Sequence, residues 1–253
     1  MNKINTIDVR EAENRTSLEQ EKIMALNERQ KQILELTEKK QRITVRTLAK
    51  ALYVSEMTVR RDLSKMEQEG YLLRYHGGAM ANREDMQYPI DVRMRFHEKE
   101  KRDLAKQAMT YIENGQTIFL PASSTCAHLI PCLRHYENLL VITNSVQFML
   151  ALSRMGIRCI LSGGEYSEQN KMLTGRSTEH FLRTLNANIA FLACDGISED
   201  GIVSVEDENT AEIVRIGFQN SEKRVILSDH TKLGRKYTYL ICHKDEADDI
   251  LVI

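Results

Sequence analysis

The chain reads as α/β in two parts: a small helical unit closed by a β-hairpin, then a mostly parallel sheet covered by helices on both faces. Three observations predict this. Two short helical periodicities separated by a polar turn occupy residues 44–66. Beyond residue 93, short continuous apolar runs alternate with helix-like segments, the pattern of strands buried on both faces. Between the parts lies a polar stretch, Ala81 to Asp91, that carries one of only three prolines in the chain.

Residues 1–26 are highly charged and precede the first clear element, although Leu18, Ile23, Met24 and Leu26 share one helical stripe. Two readings stay open, a partly ordered extension and an arm that packs against a second copy. A helix then opens at Asn27, where Gln30 three residues on completes a capping box, and it supplies Ile33, Leu34 and Leu36 to a small core. Thr44 caps the next helix, which places Val45, Leu48, Ala49 and Leu52 on one face. Ser55 caps a third, whose inward residues are Val59, Leu63 and Met66. Its opposite side shows Met57, Arg61 and Ser64, flanked by Thr58, Arg60 and Lys65. Gly70 ends that helix, and residues 71–76, including Arg74 and His76, read as a short strand closing on Gly77 and Gly78. Three helices and a wing make a winged helix-turn-helix over residues 27–80.

A basic, hydroxyl-bearing helix face suits recognition in a DNA groove, because Arg pairs with guanine edges or phosphates and short hydroxyls approach closely. The ordinary alternative is a solvated helix face, with Asp62, Glu67 and Glu69 as local ion-pair partners. Charge favours the first reading. From Asn27 to Met80 there are eleven Lys or Arg against seven acids, on a chain whose total is −1. A basic module on an acidic body is expected where one part of a protein meets phosphate and the rest does not.

Composition excludes several classes. With 42% hydrophobic and 28% charged residues, the 253-residue chain has material for two cores. No apolar run approaches the roughly 20 residues that span a bilayer, and the first residues lack the apolar centre of a signal peptide, so a cytoplasmic protein with no membrane partner is expected. The five cysteines (126, 132, 159, 194, 242) are odd in number and lack a C-x-x-C pair, which points to free thiols rather than disulfides or zinc. No dinucleotide fingerprint, P-loop or His-Glu metal motif is present, so neither a cofactor nor a metal site is expected.

After the connector over 81–92, residues 93–253 form the second unit. It opens with a long helix to about Glu113, followed by strands at 117–120, 139–143, 157–162, 188–194 and 223–228. Parallel strands place ligands beyond their carboxyl ends. There the chain offers Pro121 to Thr125, Thr143-Asn144-Ser145, Gly163-Gly164, Asp195-Gly196, and Asp229 with Lys232. Ser123, Ser124 and Thr125 open the helix CAHLIPCL, where hydroxyls and free amides cradle a phosphate and Lys232 supplies charge. Each turn taken singly is equally what any strand-to-helix connection needs for capping.

The segments RQKQILEL and LAKALYVSEMTVRRDLSKMEQEGYLLRYHGGA resemble, without gaps over residues 28–79, the DNA-binding half of the DeoR family of bacterial transcriptional regulators. That resemblance implies that Met57, Thr58, Arg60 and Arg61 lie in the groove, in a dimer or tetramer bound to double-stranded operator DNA. The second unit is similar to the effector domain of the same family, which resembles sugar-phosphate isomerases. The similarity rests on Thr143-Asn144-Ser145, Gly163-Gly164, Asp195-Gly196 and the run Asp229 to Gly234. It implies a repressor of carbohydrate-metabolism genes controlled by a phosphorylated sugar or a related small anionic metabolite. One segment departs from the family: Pro121-Ala122-Ser123-Ser124-Thr125 stands where Asp-Ser-Gly-Thr-Thr is usual. The hydroxyls that hold phosphate remain, but a carboxylate that accepts from sugar hydroxyls is lost. An isomerase using Asp195, His128 and Lys232 as acid–base groups is the competing reading. The attached DNA reader argues against it, and no catalytic residue is assigned.

Overall fold

The computed structural model describes residues 26–40, 42–68, 71–75, 77–81, 90–94 and 96–253. The stripe residues Leu18, Ile23 and Met24, the helix-ending Gly70, and His76 lie outside the described residues, as do residues 82–89 of the connector. The chain divides into two compact units, residues 1–87 and 88–253.

In the first unit, α1 (Glu28–Lys40), α2 (Val45–Ala51) and α3 (Glu56–Gln68) pack with β1 (Arg42–Thr44), β2 (Leu72–Tyr75) and β3 (Gly78–Ala81). Each helix start matches its sequence signal. Asn27 Oδ1 accepts from Gln30 N at 3.0 Å while Gln30 Oε1 accepts from Asn27 N at 3.2 Å, a reciprocal capping box. Thr44 accepts from Thr47 N at 3.1 Å, and Ser55 from Thr58 N at 3.2 Å. Ile33, Leu48, Val59, Leu63 and Met66 are fully buried together, and burial of each such side chain contributes about 1.5–3 kcal/mol. Leu26 joins this core too, so it begins one residue inside the stretch read as an extension.

The wing is more than the single strand expected. β1, β3 and β2 form an antiparallel sheet in that order, with β1 read from sequence only as the approach to a cap. Three residues paired far along the chain carry no period of their own, so β1 was not legible locally. Gly77 has φ +91°, the left-handed turn conformation glycine tolerates, and a side chain on Gly78 would run into the Ile43 carbonyl and the Tyr75 ring.

The second unit begins with α4 (Ile90–Arg93) and α5 (Glu98–Ala108), followed by one 3₁₀ turn over Met109–Tyr111. The single long helix expected to Glu113 is therefore broken before α5, where His97 takes φ +48°. Ile90, placed in the connector by composition, is buried, and its amide donates to Gln169 O at 3.1 Å.

Six parallel strands form the central sheet: β4 (Thr117–Phe119), β5 (Leu140–Thr143), β6 (Arg158–Leu161), β9 (Ala187–Ala193), β12 (Ser221–Ser228) and β14 (Asp249–Val252). Their order is β14-β12-β9-β4-β5-β6, with every pair parallel. Five of the six match predicted apolar runs. The helices α6 (Val146–Arg154), α7 (Arg176–Leu182) and α8 (Glu208–Gln219) connect them, and separate apolar clusters fill the two faces. The segment CAHLIPCL forms two 3₁₀ turns, Cys126–His128 and Ile130–His135, rather than an α-helix. Pro131 lies inside it and has no amide to donate, which disfavours a continuous α-helix.

Two small antiparallel elements were not anticipated. One is the hairpin of β7 (Glu165–Ser167) and β8 (Met172–Thr174). The other is a three-stranded sheet of β10 (Gly196–Ile197), β11 (Ile202–Val205) and β13 (Tyr239–His243). All five cysteines are free thiols.

Candidate functional site

On α3, Met57 is 75% exposed, and Arg60 and Arg61 are also on the surface while Val59 and Leu63 fill the core. The predicted outward face is therefore outward. Thr44, Ser55 and Thr58 are used locally: Thr44 pairs with Thr47 at 2.8 Å and Ser55 with Thr58 at 2.9 Å. Arg60 is tethered to Glu56 at 3.3 Å, whereas Lys65 is exposed on the next turn. Arg74 in β2 donates to Ser64 Oγ and lies 4.0 Å from Glu67, so these two predicted DNA contacts bind each other and hold the wing to α3. Asp62, read as one more local ion-pair partner, turns inward to Arg29 on α1.

In the second unit the strand order reverses between β4 and β9, because β5 and β6 run outward on one side while β9, β12 and β14 run on the other. The crevice at such a reversal, outside the carboxyl ends, is where a doubly wound sheet binds ligands. Since all six strands are parallel, every predicted segment falls at this same edge.

The segments play unequal parts. Thr143, Asn144 and Ser145 are buried and committed to the fold. Asn144 Oδ1 accepts from Ala122 N at 2.8 Å, and its amide donates to Leu173 O at 3.1 Å. Ser145 caps α6 through Phe148 N, and Thr143 accepts from Ser145 N. Gly163 O accepts from the Thr178 hydroxyl at 2.5 Å, and a side chain on Gly164 (φ +131°) would collide with Thr178. Ser123 accepts from Cys126 N at 2.9 Å, and Thr125 is buried beside it. Asp195 accepts from Glu206 N at 3.0 Å, and a side chain on Gly196 would meet the Arg235 backbone. Lys232 donates to Cys194 O at 2.7 Å, which brings its ammonium beside the end of β9.

Two cations not singled out from sequence join this edge. Lys101 on α5 is 4% exposed, and its ammonium donates to Ser124 Oγ at 3.3 Å and to Arg93 O at 2.5 Å. Burial first, and then the positive Lys232, push the Lys101 ammonium down to about 7. Arg93 donates to Asn170 Oδ1 at 2.8 Å, while its buried Nε has no hydrogen-bond partner among the described residues. Burial lowers the Arg93 guanidinium, opposed by the charges of Asp195 and Asp207. Burial would raise the Asp229 carboxyl, but Lys232, the Thr231 hydroxyl, His97 and Lys101 hold it below the usual range. A signal for Lys101 was present: it shares the i, i+3, i+4, i+7 face with Leu104, Ala105 and Ala108, where an apolar residue belongs. His128, weighed as an acid–base group, is instead half-buried with its ring against Met94 O at 3.2 Å, and burial lowers its affinity for a proton.

A helix with a basic outward face presented by a winged fold, joined to a parallel-sheet domain whose carboxyl-end edge gathers cations, defines a ligand-sensing DNA-binding regulator. The chain belongs to the DeoR family: its C-terminal sensor domain matches over residues 96–252 and its DeoR-like helix-turn-helix domain over 29–85. Similar proteins include the HTH-type transcriptional regulator GolR of Listeria innocua, 33% identical with 87% of this chain and 88% of GolR covered. The glycerol-3-phosphate regulon repressor of Escherichia coli is 28% identical, with 84% of each chain covered. Among solved structures, ribose 5-phosphate isomerase A from Methanocaldococcus jannaschii aligns over 54% of each chain at 20% identity and TM-score 0.41. The two family matches bear out the expected family, the parallel six-stranded sheet bears out the fold class, and the regulator reading stands over the isomerase one. Among the described residues, no helix is long and apolar enough to cross a membrane.

Proposed function

We propose that this regulator is a repressor of carbohydrate-metabolism genes that binds operator DNA as a homodimer or homotetramer and responds to a small phosphorylated metabolite. Met57, Thr58, Arg60 and Arg61 enter the major groove, with Thr44, Ser55, Ser64, Lys65, Arg74 and His76 along the backbone or positioning the wing. A pair of such helices reads two half-sites, which is why closed symmetry is expected. Its partner is chromosomal DNA, so it works in the cytoplasm.

The observation that carries the effector reading is the gathering of Lys101, Lys232 and Arg93 at the carboxyl ends of β4, β9 and β12, beside Ser123, Ser124 and Thr125. A buried lysine flanked by half-buried Lys232 and Arg93, all donating to neutral oxygens, favours an anion, and the dianion of a phosphate monoester matches them. The backbone held by Asn144, Gly163 and Gly164 shapes the rest of the cleft. Asp195 and Gly196, which follow β9, border it. Pro121 replaces a carboxylate at the first strand end, so the polyol portion of the ligand is read elsewhere. The name of the glycerol-3-phosphate regulon repressor supports a phosphorylated effector.

Repression requires that the effector favour one of two arrangements that differ in DNA affinity, since equal affinity for both shifts nothing. The test is fluorescence anisotropy of the full protein on its own upstream DNA, with a panel of phosphorylated sugars, polyols and nucleosides. A saturable decrease in DNA affinity with one phosphorylated compound is expected. A response confined to unphosphorylated compounds would overturn the phosphate reading.

A further inference from the structure

The segment that leads out of the connector is fastened to the ligand edge by two side chains whose donors are incompletely used. Lys101 reaches back over eight residues to the carbonyl of Arg93, the last residue of α4, and forward to Ser124 after β4. An ammonium has three protons, and these two bonds use two of them. Arg93 spends Nη2 on Asn170, while its Nε is shut off from water with no acceptor among the described residues. A buried donor left without an acceptor is costly, and such groups in native proteins call for a missing partner. Both unused donors belong to one unit, one directly bonded to the other's backbone.

The surroundings favour an anion as that partner. Lys101 is faced by Lys232, Arg93, Asp229 and Glu100. Arg93 is faced by Asp195 and Asp207, but Asp207 is occupied capping α8 through Thr210 N at 2.7 Å and Asp195 accepts from Glu206 N. Asp229 is likewise turned to Thr231, at 3.0 Å from its amide. Asp195, Asp207 and Asp229 are thus engaged with backbone amides and Glu100 lies 3.9 Å from His97 Nδ1, and among the described residues no carboxylate bonds Lys101 or Arg93 Nε.

We propose that Lys101 and Arg93 form an anion-dependent clasp: a phosphate-class group seated beside Ser124 accepts from both side chains and so fixes α4, the first described element after the connector, to the sheet. This rests on the phosphorylated-effector reading and adds the route by which occupancy reaches the connector. With the anion present, Arg93 Nε gains its acceptor and Lys101 keeps its proton, so α4 is held from both sides. Without it, α4 keeps the Asn170 bond, the Ile90–Gln169 backbone bond and the buried Ile90 side chain, but its tie to Ser124 runs through a lysine that gives up its proton readily.

Hydrogen–deuterium exchange on the full-length protein, with inorganic phosphate against chloride at equal ionic strength, tests this. The expected result is slower exchange in both 90–101 and 122–126 with phosphate, with the 90–101 protection abolished in Lys101→Met. Arg93→Lys, which keeps the charge but removes Nε, is expected to weaken phosphate binding about tenfold. It serves as the second variant if Lys101→Met fails a thermal-melt check of folding. Protection at 122–126 with none at 90–101 would overturn the clasp and leave the anion site standing. Equal protection of 90–101 in wild type and both variants would also overturn it. No protection at either segment would overturn the clasp and the phosphate reading together.

Discussion

Asp62 receives two hydrogen bonds from Arg29, 2.6 Å from Nε and 3.1 Å from Nη2, and joins the first helix of the DNA-binding unit to the helix that presents Arg60 and Arg61. The carboxylate side chain is only 9% exposed, whereas the guanidinium is 40% exposed. The third residue of the Arg-Arg-Asp run thus aims the first two by anchoring the opposite side of their helix. Replacing Asp62 by Asn should destabilise the unit by about 1–2 kcal/mol, toward the low end for a charge-assisted pair because Arg29 is partly in water. Denaturant titration followed by circular dichroism reads this. An unchanged midpoint would mean that the pair does not hold the two helices together.

Arg61 is exposed on the outward face and Arg60 is tethered to Glu56, so the two arginines should respond differently to mutation. Arg61→Ala should weaken operator binding by roughly 1–3 kcal/mol if it reads a base, or lower the salt slope by about one if it meets phosphate. Affinity measured across a salt series separates the two. If neither quantity moved, Arg61 would have no part in the interface.

The buried ammonium of Lys101 makes the sensor domain pH-sensitive. In the unfolded chain this lysine holds its proton to the ordinary 10.5, whereas in the folded protein it releases it near 7. Between those values the unfolded state binds more protons, so stability rises with pH; at and below 7 the cost of the buried charge is present in full. Lys101→Met should therefore stabilise the ligand-free protein at neutral pH, by on the order of 3 kcal/mol. That gain should shrink as pH climbs toward 10.5, as thermal melts of both proteins across the window would record. Affinity for an anion should fall as pH rises through 7, because the neutral amine no longer attracts it.

Gly164 has φ +131°, and an added side chain would lie 2.5 Å from the Thr174 carbonyl oxygen as well as meeting the Thr178 hydroxyl. Gly164→Ala should cost about 2–4 kcal/mol through backbone strain together with displacement of the Thr178–Gly163 bond. By contrast, Gly163→Ala meets no atom within 4 Å and should be far milder. Comparing the two melting temperatures checks whether the pair is there for space or for conformation.

Local chemistry was enough to specify much of this protein. Caps at Asn27, Thr44 and Ser55, the helical faces of the first unit and five of six parallel strands depend on neighbours within a few residues, so they are written in spacing and residue type. The shared edge on which the candidate segments lie was legible for a related reason, since parallel strands put all their carboxyl ends on one side. What depended on distant partners was not legible: the short strand at Arg42–Thr44, the antiparallel sheet closed by Tyr239–His243, the break before His97, and the inward turn of Asp62. The same holds for the site, where Asn144 and Ser145 look like ligand contacts in sequence but spend their polar atoms on the backbone, while Arg93 looks like an ordinary surface charge and Lys101 shows only as a charge on an apolar helix face. Whether a polar side chain is satisfied, buried or left with a spare donor is set by groups tens of residues away, and only the tertiary structure brings those groups within hydrogen-bonding distance.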